Sequence, residues 1–128
     1  MIVVDTSAVV AALGGEPEGD RVHASLAGDD ALMSAATYLE CAIVVAARFG
    51  DAGVHDLRLY LHEAGVEIVP VDRDQADTAL GAWTRFGKGR HPAGLNFGDC
   101  FAYALAATRD APLLFFGNDF ARTDVAVA

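Results

Sequence analysis

Short apolar runs bounded by turn residues alternate along this chain with longer segments whose apolar positions recur at helical spacing. Met1 to Val4 is too short an apolar run for a helix and reads as a buried strand, with Asp5 at its carboxyl end and Thr6 and Ser7 placed to cap the next helix. Val9, Val10 and Leu13 continue as a short helix that Gly14 and Gly15 break. Glu16 and Pro17 open a second helix, Pro17 suiting a first turn, with Val22 and Leu26 on one face; Gly28 to Asp30 form a turn. Ala31 to Met33 predicts a brief strand, and Ser34 caps a long helix from Ala35 to Phe49 that Gly50 ends.

Beyond Gly50, Asp51 caps a helix carrying Leu57, Leu59 and Leu61, closed at Gly65. Val66 to Val71 is β-branched and apolar, hence a strand, although Pro70 cannot donate to a ladder. Asp72 followed by Gln75 is a capping-box-like start for a helix through Ala76, Ala79, Leu80 and Trp83. Gly87 to Asn96 is the longest irregular loop. A helix from about Gly98 to Arg109 places Phe101, Leu105 and Thr108 at helical spacing, and Leu113 to Phe116 forms a last strand ending in Gly117, Asn118 and Asp119. Strands alternating with helices predict an α/β fold, a mostly parallel central sheet flanked by helices on both faces. Ligands of such sheets bind beyond the carboxyl ends of the strands, where Asp5 and Asp119 meet if their strands are parallel neighbours.

Composition narrows this further. At 128 residues the expectation is one domain spanning 1–128, too short for a separate substrate domain. The 53% hydrophobic content is spread through periodic segments, and no apolar run approaches the roughly 20 residues of a membrane helix. Met1 to Val4 meets Asp5 with no basic region or apolar signal core, so a cytoplasmic protein with no membrane association is expected. Cys41 and Cys100 lack the spacing of a disulfide framework or a zinc site and read as small buried residues. With 9 basic and 18 acidic residues and a net charge of -9, the overall field disfavours nonspecific nucleic-acid binding. Against that, Arg85, Lys88 and Arg90 cluster beside His91 and can meet a phosphate backbone locally, with Arg48 a further candidate.

The candidate chemistry lies in four acids, Asp5, Glu40, Asp99 and Asp119, that interrupt or end apolar stretches without a neighbouring lysine or arginine. A desolvated carboxylate costs about several kcal/mol unless a positive charge meets it. Three or four such oxygens suit a hard divalent cation, Mg²⁺ or Mn²⁺. Each acid also has a plain structural reading. Glu40 sits among Leu39, Cys41, Ala42, Ile43, Val44 and Val45, a helix apolar all round and therefore expected to be buried; it could instead reach back to Thr37 in a capping box. Asp99 stands where a helix dipole favours negative charge, Asp5 could cap the first helix, and Asp119 could cap a final turn while Asn118 serves as the ligand.

Taken together, V-V-D-T-S-A at the start, S-A-A-T-Y-L-E in the third helix, N-F-G-D-C-F-A-Y-A-L-A, and L-L-F-F-G-N-D-F near the end resemble a PIN domain, and more closely a VapC-type toxin ribonuclease. The likeness runs over essentially the whole chain. It implies a metal-dependent endoribonuclease of a type II toxin-antitoxin system, a homodimer held in check by a cognate VapB-type antitoxin. By the same resemblance Asp5, Glu40 and Asp99 take the places of the first three family acids, Asp5 and Asp99 as the Mg²⁺ ligands, with Thr6 or Ser7 as the hydroxyl that supports the first acid. Many relatives carry an aspartate where this chain has Asn118, so Asp119 is assigned as the fourth carboxylate and Asn118 as a support for a water or a phosphate oxygen.

Two rival readings compete. A phosphatase or phosphoacceptor domain with Asp5 as nucleophile calls for a second aspartate two positions on, where this chain has Ser7. A catalytically inactive PIN-like domain that only binds RNA or protein keeps the fold without needing clustered acids.

Overall fold

The computed structural model describes residues 1–128. The element order is β1 (Ile2–Val4), α1 (Thr6–Leu13), α2 (Gly19–Gly28), β2 (Ala31–Ser34), α3 (Ala35–Glu63), β3 (Val66–Val69), α4 (Arg73–Phe86), α5 (Phe97–Arg109), β4 (Leu113–Leu114), and a closing 3-10 turn at Phe120–Arg122. The four strands form one parallel sheet in the order β3-β2-β1-β4. Its register pairs Val3 with both Leu32 and Leu113.

Because successive strand side chains point to opposite faces, each strand feeds two cores. Val3, Leu32, Val69 and Leu113 pack with α4 and α5, including Ala79, Ala82, Phe86, Ala102 and Leu105. Ile2, Val4, Met33, Val66 and Leu114 pack on the other face with Val9, Val22, Leu26, Val45 and Leu57 from α1, α2 and α3. Helices therefore cover both faces, as the alternation of elements predicts. β1 has β2 on one side and β4 on the other, and the crossovers leaving them lie on opposite faces. The sheet thus has its switch point between β1 and β4, where Asp5 leaves β1.

Several boundaries differ from the expectations. α2 begins at Gly19 rather than at Glu16 and Pro17, which lie in a preceding turn. β3 ends at Val69, one residue before Pro70 removes a donor, and β4 has only two paired residues, Leu113 and Leu114, short of the expected Phe116, whose N–H bonds to the Ser7 hydroxyl. The break at Gly50 is real: its φ of 69° and ψ of -164° interrupt an otherwise continuous run of helical turns, so α3 is two helices joined at a kink. Ser34 caps Ala36 and Asp72 caps Gln75 as the sequence suggests.

The expectation that the helix around Glu40 is buried on all sides needs correction. Cys41 and Val45 are fully buried, but Leu39 is 59% exposed and Ile43 61% exposed. α3 covers the sheet with one face only, and no other element of the chain lies over its outer face. Phe97, 77% exposed, and Leu80 continue this apolar surface on the α4 and α5 side.

Candidate functional site

Asp5 is fixed at the end of β1 by local geometry. Its backbone N–H donates to Leu114 O across the sheet (3.0 Å). Its Oδ2 accepts from the Ser7 N–H (3.0 Å) and the Ser7 hydroxyl (2.6 Å), closing the first turn of α1. The Ser7 hydroxyl in turn accepts from the Phe116 N–H (3.0 Å), tying Asp5 to the segment that leads to Asn118 and Asp119. Of the two candidate supports for the first acid, Ser7 is the one in contact. Thr6 turns instead to Glu40, its hydroxyl donating to Oε1 at 2.7 Å.

That hydrogen bond settles what Glu40 does not do. The Thr37 hydroxyl, its capping-box alternative, is buried without any hydrogen-bond partner, and Ser34 supplies the helix cap. Glu40 projects from the second turn of α3 toward α1 and α5. Its carboxylate lies against Gly98 so closely that a Cβ there would stand 2.0 Å from Oε2.

Asp99 occupies the third position of α5 in a reciprocal capping box: its N–H donates to Asn96 Oδ1 (2.8 Å) while its Oδ2 accepts from the Asn96 N–H (3.0 Å). The dipole-favoured reading of Asp99 therefore holds, yet capping does not account for its surroundings. Burial pushes its carboxyl up from 3.8 to about 7, and the neighbouring Asp5 and Asp119 carboxylates push in the same direction. Burial likewise raises Asp5, with Glu40 adding repulsion, while the Ser7 hydrogen bonds oppose the rise.

The four acids are thus joined as a chain of pairs, Glu40 to Asp5, Asp5 to Asp99, and Asp99 to Asp119. No three His, Cys, Asp or Glu side chains close into a finished metal cage. Carboxylates facing one another without a counter-charge repel, and Mg²⁺ takes only one or two directly while keeping several waters, so a looser set is what such an ion needs. No cation of the protein neutralises the group: the ion pairs join the amino terminus to Asp29, Arg73 to Asp77, and Arg85 to Asp124. An oxygen-only, unpaired and partly desolvated donor set fits a hard divalent cation.

Asn118 and Asp119 are exposed at the rim, where Asp119 precedes the 3-10 turn but makes no side-chain cap bond. The two cysteines stay inert as thiols. Burial, reinforced by the adjacent acids, lifts Cys41 to about 12 and Cys100 to about 11. Among the basic candidates, Arg85 is occupied by Asp124 (2.9 Å) and lies near the Tyr103 hydroxyl, whereas Lys88 and Arg90 are exposed in the loop before α5 and carry no ion pair. Sequence reasoning missed two contacts, Thr6 to Glu40 and Glu40 to Gly98. The second left one visible signal, a glycine inside the first turn of a helix.

The chain is an α/β domain with buried, unpaired carboxylates at the switch point of a parallel sheet, and comparison with known proteins says to which family it belongs. The model of the PIN domain matches residues 2–126. The chain is 54% identical over 126 residues to a protein named Ribonuclease VapC from Mycolicibacterium smegmatis, covering 98% of each. The crystal structure of VapC20 from Mycobacterium tuberculosis, titled a sarcin-ricin loop cleaving toxin, superposes with a TM-score of 0.79 at 20% identity, covering 100% of this chain and 98% of that one. VapBC2 from Rickettsia felis, solved bound to a promoter DNA fragment, gives 0.77 at 15% identity over 99% and 96%. The chain belongs to the PIN domain family, in its VapC branch.

Proposed function

We propose that the chain is a Mg²⁺-dependent endoribonuclease, the toxin of a VapBC-type toxin-antitoxin pair, with residues 1–128 acting as a single nuclease domain. One observation carries this reading: Asp5, at the carboxyl end of β1, and Asp99, at the start of α5, are both buried without a cationic partner and near enough for their charges to repel. Asp5 and Asp99 would hold Mg²⁺, or Mn²⁺ in its place, and the ion would supply positive charge for a phosphodiester and lower the pKa of a bound water.

The remaining work belongs to the chain itself. Ser7 fixes the rotamer of Asp5, and the capping box fixes that of Asp99, so both carboxylates are positioned before any ligand arrives. Glu40, held by Thr6, and Asp119 at the open rim complete the acidic set, with Asn118 as a support for a water or a phosphate oxygen. Lys88 and Arg90 contact the RNA backbone and position it without reading its sequence, and Arg85 extends that basic edge while anchored to Asp124. The partners of this reading, a VapB-type antitoxin and a second copy of the chain, dock on the apolar surface around Leu39, Ile43, Leu80 and Phe97. No helix is long and apolar enough to cross a membrane, and a toxin acting on RNA works in the cytoplasm.

The test is cleavage of an RNA panel by purified protein with Mg²⁺ or Mn²⁺, beside Asp5→Asn and Asp99→Asn. Cleavage by the wild type that both substitutions abolish supports the proposal. Equal cleavage by all three rejects the mechanism, and chelator-insensitive RNA binding with no cleavage under either metal favours the inactive binding module.

A further inference from the structure

Gly98 stands at the second position of α5, between Phe97 and the metal-site candidate Asp99. Helices disfavour glycine there, because alanine loses less backbone freedom on folding. The usual reason for keeping one, a left-handed backbone, does not apply: the glycines with positive φ are Gly15, Gly50, Gly65, Gly89, Gly94 and Gly117. What distinguishes Gly98 is the space beside it. The three atoms nearest to a Cβ built at this position are all from the Glu40 carboxyl group, Oε2 at 2.0 Å, Cδ at 2.7 Å and Oε1 at 3.1 Å. None of these three nearest atoms is backbone; they belong to the end of a flexible side chain, so a methyl group can be accepted here if Glu40 moves.

On the other side, Glu40 is held by a single contact, the Thr6 hydroxyl at 2.7 Å from Oε1. α1 and α5 thus grip one carboxylate from opposite sides, α1 with a donor and α5 with an absent side chain. Resting on the reading of Glu40 as part of the nuclease site, we infer that Gly98 is a positioning residue, kept free of a side chain so that the Glu40 carboxylate can lie between Thr6 and the start of α5. Its role is exerted through Glu40 alone. Steric displacement of about 1 Å at such a group is enough to lower turnover by about 100-fold.

The experiment is a double-mutant cycle on the full chain, with Gly98→Ala, Glu40→Ala and the pair. Gly98→Ala is expected to fold with a melting temperature no lower than about 3 °C below wild type, and to lower kcat for a defined RNA by about 10- to 100-fold with little change in KM. In the Glu40→Ala background, where the space is empty, the same substitution changes kcat by less than about twofold. A crystal structure of metal-free Gly98→Ala shows Glu40 Oε1 no longer within hydrogen-bond distance of Thr6, a readout independent of metal and of activity. Wild-type kcat in Gly98→Ala, an equal loss in both backgrounds, or an unmoved Glu40 in that crystal structure overturns the inference. Should the single variant fail to fold, the pair decides: recovery of folding when Glu40 is truncated supports the steric contact, and failure of both overturns it. If Glu40→Ala cleaves like wild type, the functional reading of Glu40 is at fault, and the displacement of Glu40 in the metal-free crystal still judges the steric claim.

Discussion

Replacing Asp99 by asparagine should make the metal-free protein more stable, by an amount that grows with pH from 3.8 to about 7 and is constant above it. The substitution keeps shape, and its amide oxygen can still accept from the Asn96 N–H, so the capping box survives. What it removes is a carboxyl that burial holds at about 7 in the folded chain against 3.8 in the unfolded one. Because the folded-state value is the higher, the wild type's stability is complete below 3.8 and is lost as pH rises through about 7. The full penalty over that interval is ~4 kcal/mol at about 1.36 kcal/mol per pH unit. Water reaching the outer part of the site reduces it to about 1–2 kcal/mol.

In chelator, urea unfolding at pH 4.5 should separate wild type and Asp99→Asn by less than about 0.5 kcal/mol. At pH 8 the variant should be ahead by about 1–2 kcal/mol, or roughly 4–8 °C in melting temperature. Mg²⁺ should reverse the order. At a hundred times its dissociation constant it adds about 2.7 kcal/mol to the wild type, whereas the variant, having lost a ligand, responds weakly. A variant less stable than wild type at pH 8 in chelator, or an equal response of both to Mg²⁺, refutes the claim that Asp99 is an uncompensated ion awaiting a cation.

Ser7→Ala removes the hydroxyl that donates to Asp5 and accepts from Phe116; it should cost about 1–3 kcal/mol in urea unfolding and lower cleavage, and a cost below about 0.3 kcal/mol would show that the bridge is idle. Lys88→Ala and Arg90→Ala should each reduce the slope of log affinity against log salt for RNA by about 0.7, while Arg85→Ala, whose charge is shared with Asp124, should change it less; equal slopes for all three contradict the assignment. Ile43→Glu, on the exposed face of α3, should leave monomer stability within about 0.5 kcal/mol and remove the self-association proposed above for that face in sedimentation; a variant that self-associates as the wild type does moves the proposed interface elsewhere.

Local chemistry made much of the fold legible in the sequence. Ser34 and Asp72 announce helix starts because their short side chains bond to nearby backbone, and Gly50 marks the kink in α3 because its backbone is left-handed there. Asp5 and Asp99 stood out because ionised groups in apolar stretches need a reason. Surface exposure was harder to read. Ile43 and Leu39 look like core residues, since a pattern of apolar positions does not distinguish a face buried within the chain from one left for another molecule. The pairings Thr6 to Glu40 and Glu40 to Gly98 join residues 34 and 58 positions apart, and no local rule couples such positions.

β4, the last strand to be made, lies against β1, the first, and Ser7 reaches across that seam to Phe116. That contact joins residues 109 positions apart, so the acids on either side of the seam come together only as the whole fold closes, and loosening the seam anywhere would loosen them all.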